Sequence, residues 1–525
     1  MTAPADLVLT NAEVHSLTDP DSVSEAVAVR DGRIVRVGDA YEVDFLVGVE
    51  TEVVDLDGRV LLPGFVDAHT HLPMTGRSLV NADLSVADRG AALDALRERA
   101  AELRRGDDDG SGDDDWVLGF GYDESTWRER EYLTRDELDG VADDRPVVAV
   151  REDMHTASLN SVALERLLDE MPEADVQREG GRPTGVVVEE AVDAVWAAIE
   201  PDPERTSELV RAAAARANEL GVTAVHDMVR NSHAPRVYRD LDTAGELPLR
   251  VRINYWTDHL DAVLETGLRT NAGSDRVRTG AIKSFTDGSF GGRTAKLSEP
   301  YADADAVDDP PGDGYGQWVV DPDELDELVA RADDAGLQFT AHAIGDEAVD
   351  ATLDAYADCA DPGDSRHRVE HVELASDEAI ARFAETGVVA SVQPNFLKWA
   401  GEGGLYEDRL GDRRTETNRY RDLLDAGVHL AFGSDCMPLD PLLGVHHAVN
   451  APAEGQRLTV TEALRAYTLG GSYAGFDEDR TGTIEVGKCA DLVALERSPW
   501  AHEESIRDID VATTVVGGDV VYDGR

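Results

Sequence analysis

Eight short apolar runs recur along the middle of the chain, centred on Val66, Val225, Arg252, Ile282, Thr340, Val369, Ala390 and Ala431. Most are separated by stretches whose apolar residues repeat with helical spacing. Strand and helix alternating through eight strands predict an α/β fold, a (β/α)8 TIM barrel. The two ends of the chain have a different pattern. Residues 5–60 read as short strands and turns, with Asp31-Gly32 as a hairpin turn between two alternating runs. Residues 480–525 repeat that texture in Thr481–Gly487, Asp491–Leu495 and Val515–Tyr522. The expected organisation is one small β-sandwich domain built from residues 1–62 and 480–525, around a barrel spanning 63–479. A stretch at about 75–205 is too long for one βα loop. It holds strand-like pieces at 116–120 and 147–150 and a helical piece at 91–105, and reads as an insertion covering the barrel mouth. The acidic run Asp107–Asp115 reads as a solvated loop.

In such a barrel the reactive groups stand at the carboxyl ends of the strands. The first run ends in His69 and His71, and residues two apart on a strand leave the same face side by side. Two imidazoles so placed can share one metal ion; a solvated pair at a loop mouth is the equal alternative for this pair taken alone. The later strands end in Lys283 and Asp287, in His342, in His371 and in Asp435. That ring of metal-capable and titratable groups is hard to explain as packing. Lys283 stands out further because only four of the 49 basic residues are lysines. Arginine stays charged, whereas a buried lysine can lose its proton. Chance placement of one lysine on a strand is not excluded by composition.

Charge excludes several functions. Acidic residues number 107 against 49 basic, a net charge of −58. A surface so negative repels nucleic-acid phosphates. It suits a cytosol of high ionic strength, where the Debye length falls to about 3 Å at 1 M, and a salt-adapted, haloarchaeal-type host is the inference. No apolar run reaches the length of a membrane span, and no leader peptide is evident in the first 30 residues. Three scattered cysteines form neither a disulfide framework nor a zinc ribbon, so a cytoplasmic protein is expected. The expected partners are a small-molecule substrate and, at most, a second copy in a homodimer.

Longer pieces of sequence add a resemblance. They are Leu62–His71, Gly221–Met228, Ala281–Ala295, Ala341–Asp346, Arg368–His371, Gly433–Asp435 and Gly487–Val493. With Gly121–Trp127 and His155–Ser161 in the insertion, they resemble the amidohydrolase superfamily, and specifically its subtype 3 family, over nearly the whole chain. The resemblance implies one or two divalent ions per chain, usually zinc. His69, His71 and Asp435 would hold the more buried ion and His342 and His371 the second. A carboxylated Lys283 would bridge the two, and Asp435 would act as the catalytic proton carrier. It also implies hydrolysis of a non-peptide carbon–nitrogen bond of the N-substituted amide, N-acyl or formamide type. A hydrolytic deaminase or cyclic amidase is the enzymatic rival. A catalytically silent barrel serving as a binding or regulatory protein is the rival of another class, and the intact ligand set argues against it.

Other residues are weaker candidates. His155, Trp127, Asp287 and Arg293 are possible substrate contacts, and for Arg293 a salt bridge is the equal alternative. Tyr122 and Trp127 are aromatic residues that more often simply pack. His226-Asp227 favours a structural role over a substrate contact, and Cys436 reads as a small hydrophobe.

Overall fold

The computed structural model describes residues 3–106, 116–124, 127–151, 154, 156–306 and 310–525. The chain divides into two compact units, residues 1–72 with 214–525, and residues 73–213.

The first unit contains the barrel. Its eight strands are Phe65–Thr70, Val222–Val229, Arg250–Trp256, Val277–Phe285, Gln338–Ala343, Arg368–His371, Val389–Val392 and Leu430–Phe432. They pair in parallel in chain order. All eight coincide with the apolar runs. Their residues are buried almost throughout, as expected of a parallel sheet covered on both faces. The last strand closes on the first through Asp435 N–H donating to the His69 carbonyl (2.7 Å) and Ser434 N–H donating to the Asp67 carboxylate (3.0 Å). Gly433 makes this closure possible. A Cβ there would lie 2.5 Å from the His69 nitrogen, so only glycine allows the two backbones to approach.

Two further sheets follow, the first from the amino-terminal residues alone and the second from both ends of the chain. One orders Arg33–Gly38, Ala26–Arg30, Leu7–Thr10 and Glu52–Asp55; the other orders Asp519–Asp523, Val511–Val516, Leu492–Leu495, Val60–Pro63, Glu13–His15 and Val23–Ser24. Leu7, Leu9, Val27 and Val29 from the first meet Leu61, Leu492 and Ala494 from the second in one buried cluster, giving a small sandwich. Each leucine so buried stabilises by roughly 1.5–3 kcal/mol. Asp31 and Gly32, both at positive φ (51° and 72°), turn the hairpin as a type I′ turn requires.

The second unit is a six-stranded sheet in the order Val176–Glu179, Arg182–Val188, Thr156–Leu159, Val147–Arg151, Val117–Tyr122, Ala82–Asp83, with helices that include Arg89–Gly106. Its strands at 156–159, 176–179 and 182–188 escape a reading by pattern. They are short and carry Thr, Ser, Gln, Arg and Glu, so no alternation marks them. The acidic run 107–115 lies outside the described residues. Among the described residues no helix is long and apolar enough to cross a membrane.

Candidate metal centre

His69 is the fifth residue of the first barrel strand, and His71 follows that strand's last residue, Thr70. The His69 ring is fixed through Nδ1, which bonds Glu370 Oε2 at 2.6 Å. Glu370 is fully buried between Arg368 (2.7 Å) and the Thr340 hydroxyl. Burial alone would raise its pKa, but Arg368 and His69 hold it far below the usual carboxylate range. A carboxylate accepts here, so His69 Nδ1 carries the proton. The His71 Nδ1 meets the Met228 carbonyl at 3.1 Å and is a donor for the same reason. Both Nε2 atoms are therefore lone-pair atoms, and both face Asp435 Oδ1, at 3.5 and 3.4 Å.

Two lone pairs aimed at a carboxylate oxygen repel unless a cation or proton lies between them. The three ligand atoms lie within 4.8 Å of one another. Pinning the far ring nitrogen with a carboxylate or carbonyl is how proteins orient imidazole toward a metal. The donor set, two imidazoles and a carboxylate, suits zinc with a position left open. Electrostatics agree. Burial would raise Asp435, yet His69 and His71 bring it below its ordinary value, and Asp435 in turn raises His71 against the effect of burial.

His342 and His371 stand on the fifth and sixth strands, their rings 4.4 Å apart, and His371 is 5.0 Å from the His69 ring. The Nε2 of His342 donates to the Gly288 carbonyl at 2.8 Å, leaving Nδ1 as its free atom. Buried His371 Nδ1 has no hydrogen-bond partner. Burial drives both imidazoles toward the neutral form, His342 to about 3. Lys283 is 1% exposed and its Nζ bonds nothing, lying 5.7 and 5.9 Å from the Trp256 and Phe285 ring centres. Burial pulls its pKa down to about 8 despite Glu370 and Asp435. The backbone is left-handed at His371 (φ 75°), Val372 (49°), Asp435 (53°) and Cys436 (52°). For β-branched Val372 this is a strained conformation, of the kind that gathers where side chains must be aimed.

Of the weaker candidates, Asp287 borders the cluster: it is completely buried, its Oδ1 lies 3.7 Å from His342 Nε2, and it ties loops together by accepting N–H groups from Lys296, Ile344 and Gly345 (2.8, 3.0 and 2.8 Å). Burial raises its pKa to about 7. Arg293 is held by Asp303 (2.7 Å), which Arg409 also binds: the salt-bridge alternative is the one observed. Trp127 stacks on Tyr122 at 5.6 Å in the core of the second unit, with its Nε1 on the Val86 carbonyl. His155 lies outside the described residues. His226 bonds Arg368, Asp227 bonds Tyr238 and the Leu72 N–H, and Cys436 is half-buried. Sequence reasoning missed Glu370 and Arg368 as supports of the first histidine. Their signal was two charges spaced i, i+2 inside a strand whose residues are all buried.

Comparison with known proteins accords with this chemistry. The family model described as the Amidohydrolase family matches residues 52–522. The Bacillus subtilis protein YtcJ is 31% identical over 97% of this chain and 98% of its own length. The N-substituted formamide deformylase of Arthrobacter pascens is 29% identical over 100% of this chain and 99% of its own. The solved structure of an uncharacterized metal-dependent hydrolase from Pyrococcus horikoshii OT3 superposes with a TM-score of 0.80 at 29% identity, covering 95% of this chain and 99% of that one.

Proposed function

Because the chain belongs to the amidohydrolase family, and is in consequence a metal-dependent hydrolase, we propose that it uses zinc at the strand ends of its barrel to cleave a non-peptide carbon–nitrogen bond. The N-substituted amide, N-acyl and formamide classes are the substrates of choice. The likeness to a formamide deformylase along the whole chain supports the last of these. The observation that carries the reading is the pair of pinned imidazoles whose free Nε2 atoms converge on Asp435 Oδ1.

His69, His71 and Asp435 would hold one ion, and His342 and His371 a second. When bound, the ion supplies Lewis-acid polarisation of the substrate carbonyl and lowers the pKa of water toward 7. Glu370 keeps the His69 proton on Nδ1, and Met228 does the same for His71, so neither ring needs to reorient during turnover. Asp435, kept ionised by its histidines, takes a proton from the attacking water on a carboxylate oxygen. It then delivers that proton to the departing nitrogen, a role that requires one group within reach of both. Lys283 as an ammonium would repel a cation. As a neutral amine it can add to CO2, losing a proton and becoming a carbamate whose oxygens would complete the second site.

The test is a screen of N-substituted formamides, N-acyl compounds, cyclic ureides and amino-substituted heterocycles against the zinc-loaded protein. Turnover of the first two groups, lost on chelation and restored by zinc, is expected. Activity confined to heterocycle deamination would overturn the substrate class and leave the site assignment standing.

A further inference from the structure

At the amino-terminal ends of the second to fourth barrel strands lies a cavity of about 20 Å³, lined by four arginines and two aspartates. In a chain of net charge −58 this local surplus of positive charge runs against the rest of the molecule. The acids there are already engaged. Asp477 serves Arg252 (2.7 Å), Arg278 (3.0 Å) and Arg480 (2.9 Å), Asp491 is taken by Arg250 (2.5 Å), and Asp275 meets Arg480 (3.1 Å).

Donors remain over. Arg252 is 5% exposed, and its Nε and Nη1 are buried without any partner; Nη1 of Arg276 is in the same condition. His226 accepts an Arg368 N–H on Nδ1 at 2.9 Å, so its own proton sits on Nε2. Gly475 keeps the space beside these donors clear. A Cβ there would fall 2.5 Å from Arg252 Nε and 2.8 Å from His226 Nε2. Buried charged donors without acceptors are rare in native proteins and call for an unseen group. A water has two lone pairs and so accepts only two of these N–H groups, whereas a single-atom anion can accept from all of them.

We propose that this cavity binds one compact monovalent anion of the halide class, accepting N–H bonds from Arg252 and Arg276 and from His226 Nε2. The volume, about one water-sized sphere, admits a single-atom ion and leaves no room for a carboxylate or phosphate. The site lies at the opposite strand ends from the histidine cluster, joined to it through His226, Arg368 and Glu370, and its assignment does not rest on the reaction proposed there.

The probe is bromide. Crystals of the full chain grown in sodium bromide should show an anomalous difference peak between Arg252 and Arg276. In solution, bromide titrated into potassium gluconate at constant ionic strength should raise Tm with saturation. That saturable rise should vanish in Arg276→Met, at the partly exposed edge of the cavity, and in Arg252→Met where that variant folds. Density for a water without anomalous signal would overturn the proposal. So would a non-saturating Tm response, or one shared equally by wild type and Arg276→Met.

Discussion

The two sides of the histidine cluster are built differently. On one side, His69 and His71 have their Nδ1 atoms pinned by Glu370 and Met228, and their free nitrogens already face Asp435. On the other, His342 is anchored on the Gly288 carbonyl, whereas His371 Nδ1 and Lys283 Nζ are buried without hydrogen-bond partners. The first side is organised before any ion arrives, because each ligand's orientation is set by a bond that needs no metal. The second brings a potential positive charge in Lys283, and on the proposed reading it would hold a cation only once that lysine is carboxylated.

That asymmetry predicts unequal responses to substitution. Removing the proton carrier gives the largest effect: Asp435→Asn should lower kcat by about 10²–10⁴ while Tm holds, read from steady-state kinetics and a melt. Near-normal kcat would remove Asp435 from the chemistry. Lys283→Ala should lose one ion and most activity, and short carboxylic acids such as acetate should restore part of it by supplying the missing oxygens. Full activity without acetate would erase the distinction between the two sides. Glu370→Gln leaves every ligand in place but weakens the hold on His69, so zinc affinity, measured by competition with a chelator, should fall about 10–100-fold. The smallest effect is global. With a net charge of −58 the protein repels itself at low salt, so Tm should rise from low to molar KCl as the charges are screened, and a flat curve would point to another origin for the acidic surface.

Much of this architecture was legible in the residues. Each barrel strand is an apolar run, and alternation with helices does the rest. His69, His71, His342, His371, Lys283 and Asp435 stood out because a barrel delivers strand ends to one place. Their supports did not. Arg368 and Glu370 read as ordinary charges in a strand; only the closed barrel turns them inward, where each must pair or pay the cost of burial. Asp287 shared a strand end with Lys283 and so resembled a ligand contact. Three backbone N–H groups from distant segments, invisible in sequence, give it a structural role. Arg293 found Asp303 ten residues on, and Trp127 found Tyr122 in the core of the second unit.

Elemental analysis of the purified native protein, repeated on His71→Ala and His342→Ala, bears on all of this at once. One to two zinc-like ions per chain are expected in the native protein. His342→Ala should retain the ion held by His69 and Asp435, and His71→Ala should bind it far more weakly. No bound ion in the native protein, with no activity gained on adding zinc, manganese or cobalt, would contradict the assignment of these strand ends as a metal centre.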